Sequence, residues 1–304
     1  MTVKVALIIP TYQAKQYVNE LCSSIRSQTL QPEVLVIDSS STDGTPALLR
    51  QYFRVHSIPK VEFNHGKTRQ LALSLVDADI YVYLTQDAIL ANENSIANMV
   101  KVFENPQVGC AYGRQLPHKG AGLLGAHLRH FNYPEYSELR ALKDIPRLGI
   151  KTCSNSNSFA AYRKAALEKV GGFPARVIVG EDVYVAAKMI LAGWTMAYCA
   201  EAQVFHSHDY SVIQDFKRYF DVGVFHQQEH WIIEAFKAPG KLGNQYVKSE
   251  LKWCLQRHAY LTPFNSIWHS GMKWLGYKLG RNYFKLPVGF RKKLSMHSFY
   301  WSQT

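Results

Sequence analysis

Cysteine is scarce in this chain and badly placed for bonding. There are five in 304 residues, at positions 22, 110, 153, 199 and 254, odd in number and with no CxxC pair. That pattern excludes a disulfide framework or a zinc site and points to reduced thiols in a cytosolic protein. Long apolar runs are missing as well. Nothing approaches the roughly 18 continuous apolar residues of a membrane span. The start, MTVKVALIIP, is too short a run for a signal peptide and lacks a cleavage pattern. No internal repeat or low-complexity stretch stands out. Acidic residues are nearly absent from one region. Residues 237–304 hold 12 Lys and Arg against a single acid, Glu250, whereas residues 1–236 hold 23 basic and 22 acidic side chains. The net charge of +12 therefore belongs to the C-terminal end, which also carries four of the six tryptophans. A near-neutral body and a basic, aromatic tail imply two different tasks.

The body reads as alternating strands and helices. With 47% apolar and 19% charged residues the chain is globular, and its length allows one large domain or two. Val3–Ile9 is a β-branched run ending at Pro10-Thr11-Tyr12. Helical spacing follows over 15–28. Glu33–Ile37 is a second strand that ends at Asp38 and "DSSSTDGT", with a helix over 46–53. Residues 61–63 look strand-like, and "NHGKTRQLALSLV" turns at Gly66 into a helix. Strand 80–84, helix 93–103 and strand 108–113 come next. Residues 115–152 show no firm period. Beyond them the pattern gives a strand within 154–162, a turn at 171–173, a helix over 183–192 introduced by Glu181-Asp182, and a short strand at 203–207. A helix over 212–236 completes the pattern. Such alternation implies an α/β fold with a doubly wound, mostly parallel sheet. Ligands of such sheets sit outside the carboxyl ends of the strands, where Tyr12, Asp38, Asp43 and Asp87 fall.

Taken singly, these residues have ordinary readings. Asp38 and Asp43 suit an Asx-turn and a helix cap. Glu181 and Asp182 suit the first turn of a helix, where its dipole favours negative charge. Arg69 suits a solvated cation. His206 and His208, on alternate positions of a strand, face one side and suit either a ligand pair or a polar surface.

Order and spacing add to this. "IIPTYQ" (8–13), "VIDSSSTDGT" (36–45), "HGKTRQ" (65–70), "LTQDA" (84–88) and "GEDV" (180–183) resemble the successive signatures of the family-two glycosyltransferases, over roughly residues 3–210. "FNHGKTRQLAL", "YLTQDA" and "FHSHDYS…FKRYFDVGVFH" are similar in flavour to bacterial rhamnosyltransferases of surface polysaccharide synthesis. The resemblance implies a GT-A fold over 1–210, with 211–304 as a helical, basic region for acceptor or membrane. It implies that Pro10, Thr11 and Tyr12 line the nucleotide base, that Asp38 accepts hydrogen bonds from base or ribose, and that Ser40 and Asp43 shape that loop. "HGKTRQ" puts Gly66 and Arg69 at the donor, Arg69 as a planar cation for pyrophosphate. The family's D-x-D reads here Thr85-Gln86-Asp87, so the first aspartate is replaced. Asp87 remains for a divalent ion, Mg²⁺ or Mn²⁺, with a Thr85 hydroxyl able to share the ribose contact. His206 or His208 would add nitrogen ligands and tilt the preference toward Mn²⁺. "GEDV" places the general base at Asp182, with Glu181 beside it on the acceptor side. Direct displacement of this kind inverts the anomeric centre and needs no enzyme nucleophile, and no Cys or Ser sits in a nucleophile setting.

In the tail, Met272, Leu275 and Leu279 fall on one helical face. Lys273, Lys278 and Arg281 fall mostly elsewhere, and Trp274, Tyr277, Tyr283 and Phe284 add rings. That pattern suits an anionic membrane surface, with helices packed back on the body as the alternative. The expected partners are a dTDP- or UDP-sugar, a lipid-linked saccharide acceptor and the inner face of the cytoplasmic membrane. Three further readings are a hexosyltransferase with a UDP or GDP donor, a non-catalytic sugar-nucleotide binder, and a nucleotidyltransferase. The last lacks the glycine-rich phosphate loop it needs, since "PTYQAK" follows the first strand. Nucleic-acid binding would explain the tail but not the acidic strand ends.

Overall fold

A computed structural model describes residues 3–237 and 242–302. Among the described residues there are nine strands: β1 (Val5–Thr11), β2 (Glu33–Asp38), β3 (Arg54–Ser57), β4 (Ile80–Leu84), β5 (Ile89–Leu90), β6 (Val108–Leu116), β7 (Glu138–Arg140), β8 (Phe159–Arg163) and β9 (Thr195–Phe205). The helices of the body are α1 (Val18–Arg26), α2 (Thr45–Leu49), α3 (His65–Leu75), α4 (Ser95–Lys101), α5 (Leu123–Asn132), α6 (Ile145–Leu148), α7 (Lys164–Val170) and α8 (Glu181–Leu191). Beyond them come α9 (Val212–Gln228), α10 (His230–Phe236), α11 (Leu242–Gln256), α12 (Thr262–Arg281) and α13 (Val288–Leu294).

One sheet runs in the order β3-β2-β1-β4-β8-β6-β9-β5, with β7 also paired to β9. Strands β1, β2, β3, β4, β6 and β9 share a direction; β5, β7 and β8 run against it. The sheet is thus mostly parallel, as the alternation implies. Its central strands are near-continuous apolar runs because both faces are covered. Successive side chains go to opposite sides. Ala6 and Ile8, with Tyr81 and Tyr83, enter one core, while Leu7, Ile9, Val82 and Leu84 enter the other. All five cysteines are buried free thiols. The parallel strands deliver the ends of β1, β2, β4, β6 and β9 to one rim, and the loop before the antiparallel β8 starts from that rim.

Several local expectations shift. The strand-like 61–63 is a 3₁₀ turn, Lys60–Glu62, and the strand lies earlier, at β3. Of the short strand expected at 203–207, residues 203–205 are the last part of the eleven-residue β9, and His206 and Ser207 lie in the loop beyond it. The helix over 212–236 breaks at Glu229 into α9 and α10. The unassigned stretch 115–152 contains α5, β7 and α6.

Past residue 210 the chain does not leave the body. Phe220, Val224 and Phe225 of α9, with Tyr300 and Trp301, belong to the same core as Tyr81 and Tyr162. Helix α12 lies hard on α9 because glycines let the backbones meet. A Cβ at Gly276 would lie 2.3 Å from the Phe216 carbonyl oxygen, and one at Gly280 would lie 2.0 Å from that of Phe220. The terminal stretch then returns to the body, where Asp221 accepts hydrogen bonds from the Met296 (2.9 Å) and His297 (3.2 Å) N–H groups.

The outward stripe of α12 differs from the one read off the sequence. Leu279 packs against the core and Met272 is half-buried. Of the expected three only Leu275 is exposed; with it Phe264, Ile267, Trp268 and Trp274, and Leu261 just before the helix, stand in solvent, Leu261 83% and Phe264 73% exposed. No described helix is long and apolar enough to cross a membrane.

Candidate active site

The rim opens into a cleft of about 510 Å³ whose lining includes Thr85, Asp87, Glu181, Asp182, His206 and His208. Nine separate stretches of sequence meet here, carried by α3, the ends of β4, β6 and β9, α5, the loop before β8, the start of α8, α9 and the C-terminal segment. At one side, Asp87 Oδ2 lies 3.6 Å from His206 Nε2 and 3.5 Å from His208 Nε2, and the two imidazole nitrogens are 3.2 Å apart. One ligand atom from each fits within 4.8 Å of the others. Ligands about 2.1 Å from a common ion and at right angles sit roughly 3 Å apart, so the spacing suits a single cation. Gln115 Oε1 lies 3.0 Å from His206 Nδ1. That contact holds a proton on Nδ1 and leaves Nε2 free to ligate. Burial lowers His206 and pushes His208 down to about 4, so both imidazoles are neutral, the ligating form. Burial alone would raise Asp87, but His206 and His208 outweigh it and hold the carboxyl well below its usual range. One carboxylate with two imidazoles is a donor set that fits Mn²⁺ better than Mg²⁺.

Across the cleft stands the acidic pair. Glu181 is 5% exposed and locked: Arg69 Nη1 lies 3.1 Å from its Oε1, and Asn157 Nδ2 donates to it at 2.9 Å. Burial would raise this carboxyl, but Arg69, His65 and Asn157 overcome that and keep it ionised below its normal value. Asp182 accepts from the Asn157 N–H (3.1 Å) and its Oδ1 from the Val183 N–H (2.8 Å). Burial, with the Glu181 charge beside it, pushes Asp182 up to about 7. Two adjacent carboxyls thus have opposite fates. One is a fixed anion, and the other is poised to take a proton near neutral pH.

The other expected residues fall on the same rim, several in supporting parts. Asp38 is 1% exposed, and its carboxylate accepts from Thr11 Oγ1 and from the Ser41 N–H and Oγ, so it braces the loop from inside. Ser40, at φ 57°, donates to the Ile58 carbonyl. Asp43 accepts from the Thr45 and Lys15 N–H groups, the capping part its local sequence suits. Pro10 and Thr11 end β1, and Tyr12 presents an exposed ring whose hydroxyl accepts from Lys60 Nζ at 2.6 Å. Gln86 clasps the Tyr12 backbone at both its N–H (2.7 Å) and carbonyl (3.1 Å). Gly66 lets α3 meet the chain at 174, since a Cβ would lie 1.8 Å from the Pro174 oxygen.

Two implied roles do not fit this geometry. Arg69 is buried and paired to Glu181, so it does not reach a pyrophosphate, and Glu181, though it lines the cleft, has its carboxylate engaged by Arg69 and Asn157 and not left for an acceptor. The cations that line the cleft are Arg129 and Arg218, from α5 and α9. Residues 115–152 show no firm period, so nothing marked Arg129 of α5 as facing a cleft. Arg218 sits in the quoted "FKRYF", where its helical face was not yet oriented. His297 was also missed; it enters the cleft only because Asp221 ties the C-terminal segment down.

A mostly parallel sheet with a carboxylate–imidazole cluster and a tuned carboxylate at its carboxyl rim defines a GT-A glycosyltransferase site. The glycosyl transferase family 2 profile matches residues 6–171, and the chain belongs to that family. It is 44% identical over 303 residues to the O-antigen chain rhamnosyltransferase RfbN of Salmonella typhimurium, covering 98% of this chain and 96% of that protein. It is equally 44% identical over 300 residues to the O-antigen chain rhamnosyltransferase WbaN of Salmonella anatum, covering 97% and 95%. Among solved structures it is similar to the mannosyltransferase PcManGT of Pyrobaculum calidifontis in complex with GDP-Man and Mn²⁺. That match has a TM-score of 0.59 at 21% identity and covers 100% of this chain and 84% of that one, which shows the fold. The chain is a glycosyltransferase.

Proposed function

We propose that the protein is an inverting rhamnosyltransferase of surface polysaccharide synthesis. In this reading it moves L-rhamnose from dTDP-L-rhamnose onto a lipid-linked glycan at the inner face of the cytoplasmic membrane. The observation that carries the chemistry is the opposition, in one cleft, of Asp182 at about 7 and the Asp87–His206–His208 cluster. The near full-length likeness to two proteins named as O-antigen rhamnosyltransferases supports the choice of sugar and pathway.

Asp87, His206 and His208 would hold a divalent ion, Mn²⁺ before Mg²⁺. When bound, that ion supplies positive charge to the leaving diphosphate. Arg129 and Arg218 add fixed charge on the same wall, in place of the role first implied for Arg69. The exposed Tyr12 ring offers a face to the base, and the braced Asp38 loop fixes that end of the donor. Asp182 takes the proton of the acceptor hydroxyl as the new C–O bond forms and the nucleotide–sugar bond breaks, which inverts the anomeric centre. Buried Glu181, held by Arg69, keeps that proton affinity high.

The exposed α12 stripe of Phe264, Ile267, Trp268 and Trp274, on a region of one acid and twelve cations, fits an anionic bilayer surface that presents a lipid-linked acceptor. A thermal-shift panel of dTDP, UDP and GDP with and without Mn²⁺ tests the donor: dTDP with Mn²⁺ should give the largest rise. Asp182→Asn should abolish nucleotide release while keeping that rise. Equal turnover by the variant, or no response to any nucleotide, overturns the reading.

A further inference from the structure

A second cavity of about 410 Å³ adjoins the first, and the two share His208 and Tyr210 as lining residues. It is enclosed by α5, the loop after β9, α9, α11 and α12, on the side of the sheet away from β1 and β2, where the nucleotide would lie. Its size falls in the range of small-ligand pockets, about 300–1,000 Å³. We infer that this chamber binds the internal sugar of the acceptor glycan, the residue next to the one that receives the new linkage. The inference rests on the acceptor being a glycan, as proposed above.

The chemistry of the lining supports a neutral polyhydroxyl ligand. Carboxylates from Asp209, Asp215 and Glu250 face a single lysine, Lys273, so an anionic phosphate or diphosphate is disfavoured. Part of this polar wall is already satisfied and rigid. Glu250 is 3% exposed and accepts from the Tyr246 and Ser266 hydroxyls, while Asp215 accepts from His269 Nδ1 at 2.6 Å and from Lys273 at 3.3 Å. Glu250, the lone acid of residues 237–304, is thus spent on building this chamber.

Other groups are left for a ligand. Asp209 Oδ2 accepts from the Gly122 N–H at 2.8 Å, but its Oδ1 has no hydrogen bond among the described residues. The Tyr210 and Thr262 hydroxyls and the Asn265 amide line the chamber likewise without a side-chain partner among the described residues. Free acceptor and donor functions side by side are what sugar hydroxyls require, each being both donor and acceptor. Leu124 and Leu128 supply apolar surface for ring C–H groups, while the Tyr210 ring is fixed by His208, stacked at 5.1 Å, and by Arg218 at 5.4 Å. Gly125 makes room for this arrangement, since a Cβ there would lie 2.4 Å from Asp209 Oδ1. Because Tyr210 and His208 border both cavities, a sugar here lies next to the cleft that Asp182 lines.

Saturation-transfer NMR tests this without the donor. The probes are methyl glycosides of galactose, glucose, mannose and rhamnose and the disaccharides built from them, each added to the full chain. At least one disaccharide is expected to bind ten-fold more tightly than either of its component monosaccharides. Asn265→Trp, at an exposed position of α12 that should tolerate the change, is expected to lower that affinity at least ten-fold and leave dTDP·Mn²⁺ binding unchanged. Leu124→Trp, from the opposite wall, should do the same if Asn265→Trp does not fold. No disaccharide advantage in the wild type, or an advantage untouched by both blocking variants, overturns the proposal. A protein that binds the disaccharide but transfers no rhamnose would instead refute the donor assignment and leave the chamber standing.

Discussion

Replacing Glu181 with Gln probes whether Asp182 is tuned by its neighbour. Burial and the Glu181 charge together lift Asp182 from the ordinary 3.8 to about 7. The amide keeps an oxygen for Asn157 Nδ2 but removes the charge. A like charge roughly 4–8 Å away, at an effective dielectric of about 20, is worth on the order of 2–4 kcal/mol, so the variant should lose at least about one pKa unit. Arg69, losing its partner, pulls the same way, because its charge also favours ionised Asp182. Wild-type kcat/KM should therefore climb with pH along a limb centred near 7, and the variant's limb should sit at least about one unit lower. At pH 6 a base of pKa 7 is about one-tenth ionised and one of pKa 6 about half, so activity there, relative to each protein's own plateau, should differ at least about five-fold. The assay is nucleotide release from dTDP-L-rhamnose at subsaturating acceptor, between pH 5.5 and 8.5. Stability should move the other way, because a buried Arg69 without its carboxylate costs about 3–5 kcal/mol. A limb that stays at 7 in the variant, or a flat wild-type profile, would refute the coupling.

Asp182 also leaves a mark on stability. Its folded pKa lies above the unfolded one, so the native state binds the extra proton between about 4 and 7, and wild-type Tm should fall across that window relative to Asp182→Asn; parallel Tm–pH curves for the two proteins would contradict this. His208→Ala removes one of three converging ligands, and isothermal titration should then show Mn²⁺ affinity reduced at least ten-fold, with the fold intact by circular dichroism. Gly280→Val sets a side chain against the Phe220 oxygen on α9, so α12 must shift; the expected cost is about 1–3 kcal/mol or more, read as a lower Tm. Phe264→Glu with Trp268→Glu should cut sedimentation with anionic vesicles several-fold while leaving nucleotide binding unchanged, and undiminished sedimentation would remove the membrane role from α12.

Much of the body was legible because its signals are local. β-branched runs closed by Pro10-Thr11-Tyr12 and by Asp38 mark strand ends, and in a parallel sheet strand ends share one rim. His206 and His208 do converge, but they sit in the loop past Phe205, so the path of that loop and not strand alternation turns them together. Their common target, Asp87, lies more than a hundred positions earlier, and only the pairing of β5 and β9 brings it there. The tail showed its charge and its rings but not its orientation, because helical spacing defines a stripe and not the surface that covers it. Glycines at 276 and 280 turned out to select the buried face. Arg69 shows the limit best. Its residue type suits phosphate, and its place in the motif promised that role. Yet what a guanidinium neutralises is decided by which carboxylate the fold buries beside it, and α8 brings Glu181 to 3.1 Å. Sequence determined the strands, their ends and the stock of charged groups at the rim. Tertiary structure alone decided which of those charges pair with each other and which remain for a substrate, since pairing depends on distances that chain spacing does not fix.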